Sequence, residues 1–277
     1  MNTRLSDITA KITQHLHAVI QEFQVTEEEL IQAIKFLTEV GKLNQYTLLS
    51  DVLGISVAVD EITHRSDYHG GGTENNVEGP LYRDEAPLLE TPAKICSENT
   101  KGEMLILSGQ VLSSDDQRPL PNALLDVWQA NEHGNYENED PEQPDYNLRG
   151  RIQCDKNGRF EIQTMVPAAY EIGKRGPVGQ LLKNIGRHSW RPAHIHFKVT
   201  AAGFEPVTTQ LFIPDDPWIE SDSIGAVKDS LILKMDKCDD PREILNRGFN
   251  KPFNTSHYDF ILRPKVLSPM ETDMIFK

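Results

Sequence analysis

The run Arg187-His188-Ser189-Trp190-Arg191-Pro192-Ala193-His194-Ile195-His196-Phe197 holds the densest chemistry in the chain. His194 and His196 stand two apart in a segment of strand character, and alternate side chains of a strand share a face. Both imidazoles therefore project to one side while Ile195 goes to the other. A strand presents two nitrogen ligands to one metal in this way, and imidazole suits zinc, copper, iron and nickel alike. The same pair also describes two hydrogen-bonded histidines at a sheet edge. Adding a carboxylate such as Asp126 or Glu171 would give the ligand set of a zinc hydrolase. Cys96, Cys154 and Cys238 are odd in number, far apart, and form no C-x-x-C pair. That argues against a disulfide scaffold and against a thiolate site, so a metal would be held by nitrogen and oxygen.

The elements that must position these groups fall into two parts. Leu5, Ile8, Ile12, Leu16, Val19, Ile20 and Phe23 recur every three or four residues, the stripe of an amphipathic helix. Thr26 followed by Glu29 predicts a capping box for a second helix, with the stripe Leu30, Ile31, Ile34, Leu37 and Val40 and a stop at Gly41. Residues 45 to 64 read as a third, more apolar helix, which the Gly70-Gly71-Gly72 run ends. Past about residue 100 the pattern changes to short β-type runs over 104–111, 123–128, 159–164, 195–200, 207–213, 231–233 and 258–262, several separated by turn residues such as Asn157-Gly158. One further helical stretch is expected near Gly179 to Gly186. Strands at this spacing without intervening helices predict a mainly β protein, an antiparallel β-sandwich over 101–277, preceded by a helical region and linker over 1–100.

At 277 residues, with 28 Lys and Arg against 42 Asp and Glu, the chain carries a formal charge of −14. That is the wrong electrostatic type for a partner of nucleic acid. No apolar run approaches a membrane span, and Met1 to Ala10 lacks the pattern of a secretory signal, so a soluble cytoplasmic protein is expected. The acidic patch from Glu137 to Asp145 reads as a solvated loop. His15, His17, His64 and His69 read as solvated side chains.

Three separated segments, His133-Gly134-Asn135-Tyr136, Pro167-Ala168-Ala169-Tyr170-Glu171 and Arg191-Pro192-Ala193-His194-Ile195-His196, resemble in order and spacing the intradiol ring-cleaving dioxygenases. Glu78-Gly79-Pro80-Leu81-Tyr82, Asp126-Val127-Trp128-Gln129-Ala130-Asn131 and Leu148-Arg149-Gly150-Arg151 extend the likeness from the helices to about Leu262. The resemblance implies a non-haem Fe(3+) held by Tyr136, Tyr170, His194 and His196. Phenolates are hard anionic donors that favour the ferric ion, whereas two histidines and a carboxylate form the ferrous pattern. Tyr146 lies close enough in sequence to compete with Tyr136, but the family motif puts the ligand after Gly-Asn. The resemblance further implies chelation of a catechol through its two hydroxyls, with Tyr170 leaving the metal to accept a proton. O2 then opens the ring between the hydroxylated carbons, giving a cis,cis-muconate or maleylacetate-type product. Arg191 and Gln210 match positions that stabilise the carbanion form of the bound ring.

For the ring pocket the resemblance implicates Leu48, Asp51, Val77, Pro80, Leu81, Ile224 and Gly225. Its branches conflict. Leu48-Leu49-Ser50-Asp51 resembles the hydroxyquinol enzymes, residues 77–82 the catechol enzymes, and residues 170–172 and 186–190 the chlorocatechol enzymes. Gly173 stands where relatives often carry proline. His133 and His188 flank the motifs and are candidates for orienting a ligand. The family pairs two subunits through N-terminal helices around an apolar tunnel that can hold phospholipid chains, so a homodimer is expected. Two alternatives to this enzyme stay open. One is the zinc hydrolase; the other is a non-enzymatic binding module, because Gly109-Gln110-Val111 through Leu120-Pro121-Asn122-Ala123 also resembles transthyretin-like domains.

Overall fold

The computed structural model describes residues 3–64, 71–98, 101–173 and 176–265. Helices α1 (Thr3–Phe23) and α2 (Glu27–Lys42) follow the two predicted stripes. The capping box between them is formed: Thr26 Oγ1 accepts from the Glu29 N–H at 3.2 Å, and the Glu29 carboxylate accepts from the Thr26 N–H at 2.8 Å. The expected third helix is two, α3 (Tyr46–Val52) and α4 (Ile55–Thr63), because Gly54 takes a φ of +70° that no helix interior can hold. Leu5, Ile12, Leu16, Leu30, Ile34 and their stripe neighbours are exposed, and Val40 is the only buried residue of α1 and α2. His15 and His17 are exposed on α1, and His64 caps α4 with its Nδ1 2.8 Å from Asp60 Oδ1. His69 and Gly70 lie outside the described residues. No described helix is long and apolar enough to cross a membrane.

Thirteen strands follow among the described residues. β1 (Leu88–Glu90), β5 (Arg149–Gln153), β4 (Leu124–Gln129), β9 (His194–Thr200) and β10 (Val207–Phe212) lie side by side in that order as one sheet. β11 (Met235–Cys238), β12 (Phe253–His257), β3 (Met104–Ser113), β6 (Arg159–Met165) and β2 (Ala93–Lys94) form the second, with β13 (Phe260–Leu262) on β3. Leu125, Val127, Ile195, Phe197 and Leu211 of the first sheet meet Leu105, Leu107, Phe160 and Ile162 of the second in one buried core. The pairings β3–β6, β4–β5, β4–β9, β9–β10 and β11–β12 are antiparallel, as expected. The short strands β1 and β2, and β12 and β13 on β3, add in parallel.

Of the expected strand over 231–233, Leu231 ends a 3-10 turn, Asp229–Leu231, and Ile232 makes a single parallel bridge to Phe212, with Leu231 and Leu233 dropping into the core. Alternation there records burial without a ladder. The run at 258–262 is strand only from Phe260. Two further elements complete the site's surroundings: the short pair β7 (Tyr170–Glu171) and β8 (Trp190–Arg191), and α5 (Pro177–Asn184) between them. Cys96, Cys154 and Cys238 are free.

Candidate metal centre

Because Ile195 and Phe197 fill the core, His194 and His196 face outward from the first sheet, beneath the helices and loops that cover it. Directly opposed residues of neighbouring strands share a face. Trp128 on β4 and Gln210 on β10 both pair with His196, so the three side chains form a row across the sheet.

Two loops bring tyrosines over this row. Asn131 organises the first, its Oδ1 accepting the N–H groups of His133 at 2.9 Å and Asn135 at 3.0 Å. Its carbonyl also accepts from Ala168, which ties this loop to the second. Gly134, at φ +75°, completes the approach: a Cβ there would stand 2.7 Å from Ala169 O and 2.8 Å from Tyr170 Cβ. Tyr136 and Tyr170 consequently meet edge to face with centroids 5.6 Å apart. The Tyr170 ring lies 5.5 Å from His194 and the Tyr136 ring 6.5 Å from His196. Tyr146 is elsewhere, donating to Asp84 O at 3.3 Å beneath the Arg83 guanidinium.

His194 Nδ1 lies 2.7 Å from Pro192 O, so it carries the proton and leaves Nε2 as a lone pair. The two Nε2 atoms face each other at 3.0 Å. Metal–imidazole bonds of about 2.1 Å set at right angles would span about 3.0 Å between nitrogens, so this spacing suits two adjacent ligands. Burial and then the Arg191 charge push His194 down to about 3, and burial and then His194 hold His196 well below its ordinary value, so both rings are neutral. Burial pushes Tyr136 well up, reinforced by Tyr170. Burial raises Tyr170 too, opposed by Arg191. The Tyr136 hydroxyl is buried without a hydrogen-bond partner. Two neutral imidazoles and two phenols that ionise only against a strong positive charge suit a hard, highly charged cation.

Charged groups hold this arrangement, and sequence reasoning singled out Arg191 but missed its partner Asp222 and the Glu137 pair. Arg191 is bound by Asp222 and donates to Gln210 Oε1 at 2.9 Å; its Nη1 is 3.2 Å from His194 Nε2. Burial works against ionised Asp222, but Arg191 holds its carboxyl below the usual range. Under Tyr136, Arg149 donates to Glu137 Oε2 at 2.6 Å and to Leu81 O at 2.7 Å, and Arg83 pairs with the other Glu137 oxygen. Glu137 is thus buried, contrary to the solvated loop expected there. Buried and surface carboxylates look the same in a sequence, and only the Arg149 motif hinted at a partner.

The pocket residues gather in part. Leu48, Val77, Ile224 and Tyr170 pack in one apolar cluster, and Leu81 packs with Trp128 and Tyr136. Asp51, Val77, Gly79 and Pro80 line a cleft of about 620 Å³ against α3 and α4. Gly79 links that cleft to the histidine pair, for a Cβ on it would lie 3.6 Å from His196 Cε1. Gly225 is exposed on the turn beyond Ile224. Gly173 has φ +64°, which proline cannot adopt, so the departure at this position is built into the backbone. His133 is exposed beside Glu132, and His188 packs on Trp218 at 4.8 Å. Asp126 accepts from Tyr82 and Glu171 from Ser189. No group of three His, Cys, Asp or Glu side chains among the described residues is arranged to hold a metal.

Comparison with known proteins gives two family matches. Residues 77–264 match the family described as "Dioxygenase" and residues 2–71 the one described as "Catechol dioxygenase N terminus". A hydroxyquinol 1,2-dioxygenase of Rhizobium sp. (strain MTP-10005) is 41% identical over 94% of this chain and 89% of that protein. Catechol 1,2-dioxygenase 2 of Acinetobacter lwoffii is 36% identical over 83% of this chain and 85% of its own. Among solved structures, the hydroxyquinol 1,2-dioxygenase of Pseudomonas putida DLL-E4 superposes with a TM-score of 0.85 at 37% identity, covering 95% of this chain and 93% of that one.

Proposed function

The chain belongs to the intradiol ring-cleavage dioxygenases, enzymes that open catechols between the two hydroxylated carbons, and we propose that it holds Fe(3+) through Tyr136, Tyr170, His194 and His196 and prefers a ring bearing an additional hydroxyl. Neither the zinc hydrolase nor the transthyretin-like module is supported by these likenesses.

The family generally depends on non-haem ferric iron. What carries the ligand assignment is the facing of two neutral imidazole nitrogens at 3.0 Å beneath the buried Tyr136 and partly buried Tyr170 phenols. When bound, the ferric ion would supply a Lewis acid that draws electron density from a coordinated diol. The remaining work belongs to the protein. Tyr170 accepts a proton from the incoming diol at its phenolic oxygen, beside a guanidinium that steadies its charged form. Arg191, 3% exposed and unable to swing, directs positive charge at a ring gaining electron density. Gln210 accepts from Arg191 and donates to Val77 O at 2.7 Å, which joins the charge to the cleft wall. Leu48, Val77, Leu81 and Ile224 give the site an apolar wall for the ring.

Asp51 supports the preference for a third hydroxyl. It is 3% exposed, lines the cleft, and burial raises its pKa. A substrate hydroxyl would add a hydrogen-bond donor to the one that Ser56 supplies to this carboxylate. Measurement of kcat/KM for hydroxyquinol, catechol and chlorocatechol side by side decides the preference. Hydroxyquinol should lead, and Asp51→Ala should remove its lead while sparing catechol. Equal losses on all three would refute the role. The ligand assignment has its own readout: purified ferric protein should show an intense visible tyrosinate charge-transfer band, reduced in Tyr136→Phe and Tyr170→Phe.

The apolar stripes of α1 and α2 are exposed in the single chain. They support a homodimer through these helices, with phospholipid chains filling the apolar space between them.

A further inference from the structure

The two metal-facing histidines are held by different means. His194 is oriented by its hydrogen bond to Pro192 O. His196 has no such partner, since its Nδ1 is buried and unbonded. A ligating imidazole is ordinarily aligned through its second nitrogen. Here a different contact fills the gap: the Trp128 indole lies 4.7 Å from the His196 ring and within 5° of parallel.

We propose that Trp128 is the positioning residue of His196, its flat indole face doing for that ring what Pro192 O does for His194. The stack is braced from behind. Tyr82 packs on Trp128 at 4.9 Å and 61°, and its hydroxyl donates to Asp126 Oδ2 at 2.9 Å. Asp126, Trp128 and His196 belong to adjacent strands in fixed register, so the stack is referred to the sheet and not to a loop. Trp128 is fully buried, yet its Nε1 also lacks a partner. The indole N–H therefore makes no bond that accounts for the side chain, and what the position uses is its flat aromatic face, which a phenyl ring would also offer.

This inference rests on His196 being an iron ligand, and the experiment separates the two claims. Iron affinity by chelator competition, the charge-transfer band and the ferric EPR spectrum are measured for Trp128→Phe, Trp128→Leu, Trp128→Met, His196→Ala and the remote core control Phe160→Leu. Losing the flat face in Trp128→Leu and Trp128→Met should weaken iron binding roughly 10- to 100-fold and broaden the EPR signal, while Trp128→Phe stays within about threefold of the parent. Phe160→Leu should lower thermal stability and leave affinity and spectra unchanged. Native affinity and spectra in either folded variant lacking the aromatic face, or equal changes in Phe160→Leu, would overturn the proposal. If neither aliphatic variant folds, Trp128→Phe decides: a loss beyond that margin, with a ring still stacked, overturns it. Stoichiometric iron with an unaltered band in His196→Ala would overturn the ligand assignment itself.

Discussion

Arg191 grips Asp222 with two hydrogen bonds of 3.1 Å each, from Nε to Oδ1 and from Nη2 to Oδ2. The same carboxylate accepts the N–H groups of Ile224 at 3.4 Å and Ala226 at 3.0 Å. One buried side chain thus fixes both the guanidinium and the turn that carries Ile224. Breaking a buried pair leaves an uncompensated charge, at a cost of about 3 kcal/mol or more. Asp222→Asn should destabilise the fold by that order in urea unfolding. It should also lower kcat for every diol alike, and steady-state kinetics with unchanged kcat would show that the pair is not used in turnover.

Gly134 permits the contact between the two tyrosine loops. Gly134→Ala would demand a left-handed backbone and place a methyl group against Ala169 O, a loss of at least about 2 kcal/mol. Because Tyr136 moves with that loop, the visible absorbance per iron should fall as well. A variant less stable but with full absorbance would show that the loop holds its place without the glycine.

Asp51 makes a prediction about pH. Burial raises its carboxyl above the ordinary 3.8, with Ser56 and Arg191 opposing in part. As pH rises through the window between that ordinary value and the folded one, the unfolded chain gives up its proton first. Stability contributed by this group therefore falls across the window, and the penalty stays constant above it. Asp51→Asn should flatten thermal stability against pH on the acid side and raise the melting temperature at neutral pH. An equal or lower melting temperature there would remove Asp51 as a source of strain.

The exposed stripes predict an assembly. Ile12 and Leu16 are 55% and 57% exposed in the single chain. Replacing both with glutamate should convert a dimer to a monomer in light scattering while leaving kcat per site near the parent value. A dimer that survives would place the interface elsewhere.

The sequence was legible wherever one periodicity ruled a segment. The stripes of α1 and α2 and the shared face of His194 and His196 follow from helix and strand geometry alone. The split at Gly54 was hidden because apolar content on both sides continued through it. Glu137, Arg149 and Asp222 were hidden for another reason: charge is visible in a sequence, but burial is not. The acidic run beginning at Glu137 has one member turned inward to Arg149, and nothing in its spacing distinguishes that member from the exposed ones.

The candidate lining residues come from three separate stretches, near Leu48 and Asp51, near Val77 to Leu81, and at Ile224, whereas the imidazoles ride on β9. Two of these stretches are tied to the buried guanidinium, Val77 through Gln210 and Ile224 through Asp222, so a substitution that reshapes the cleft there also reaches Arg191.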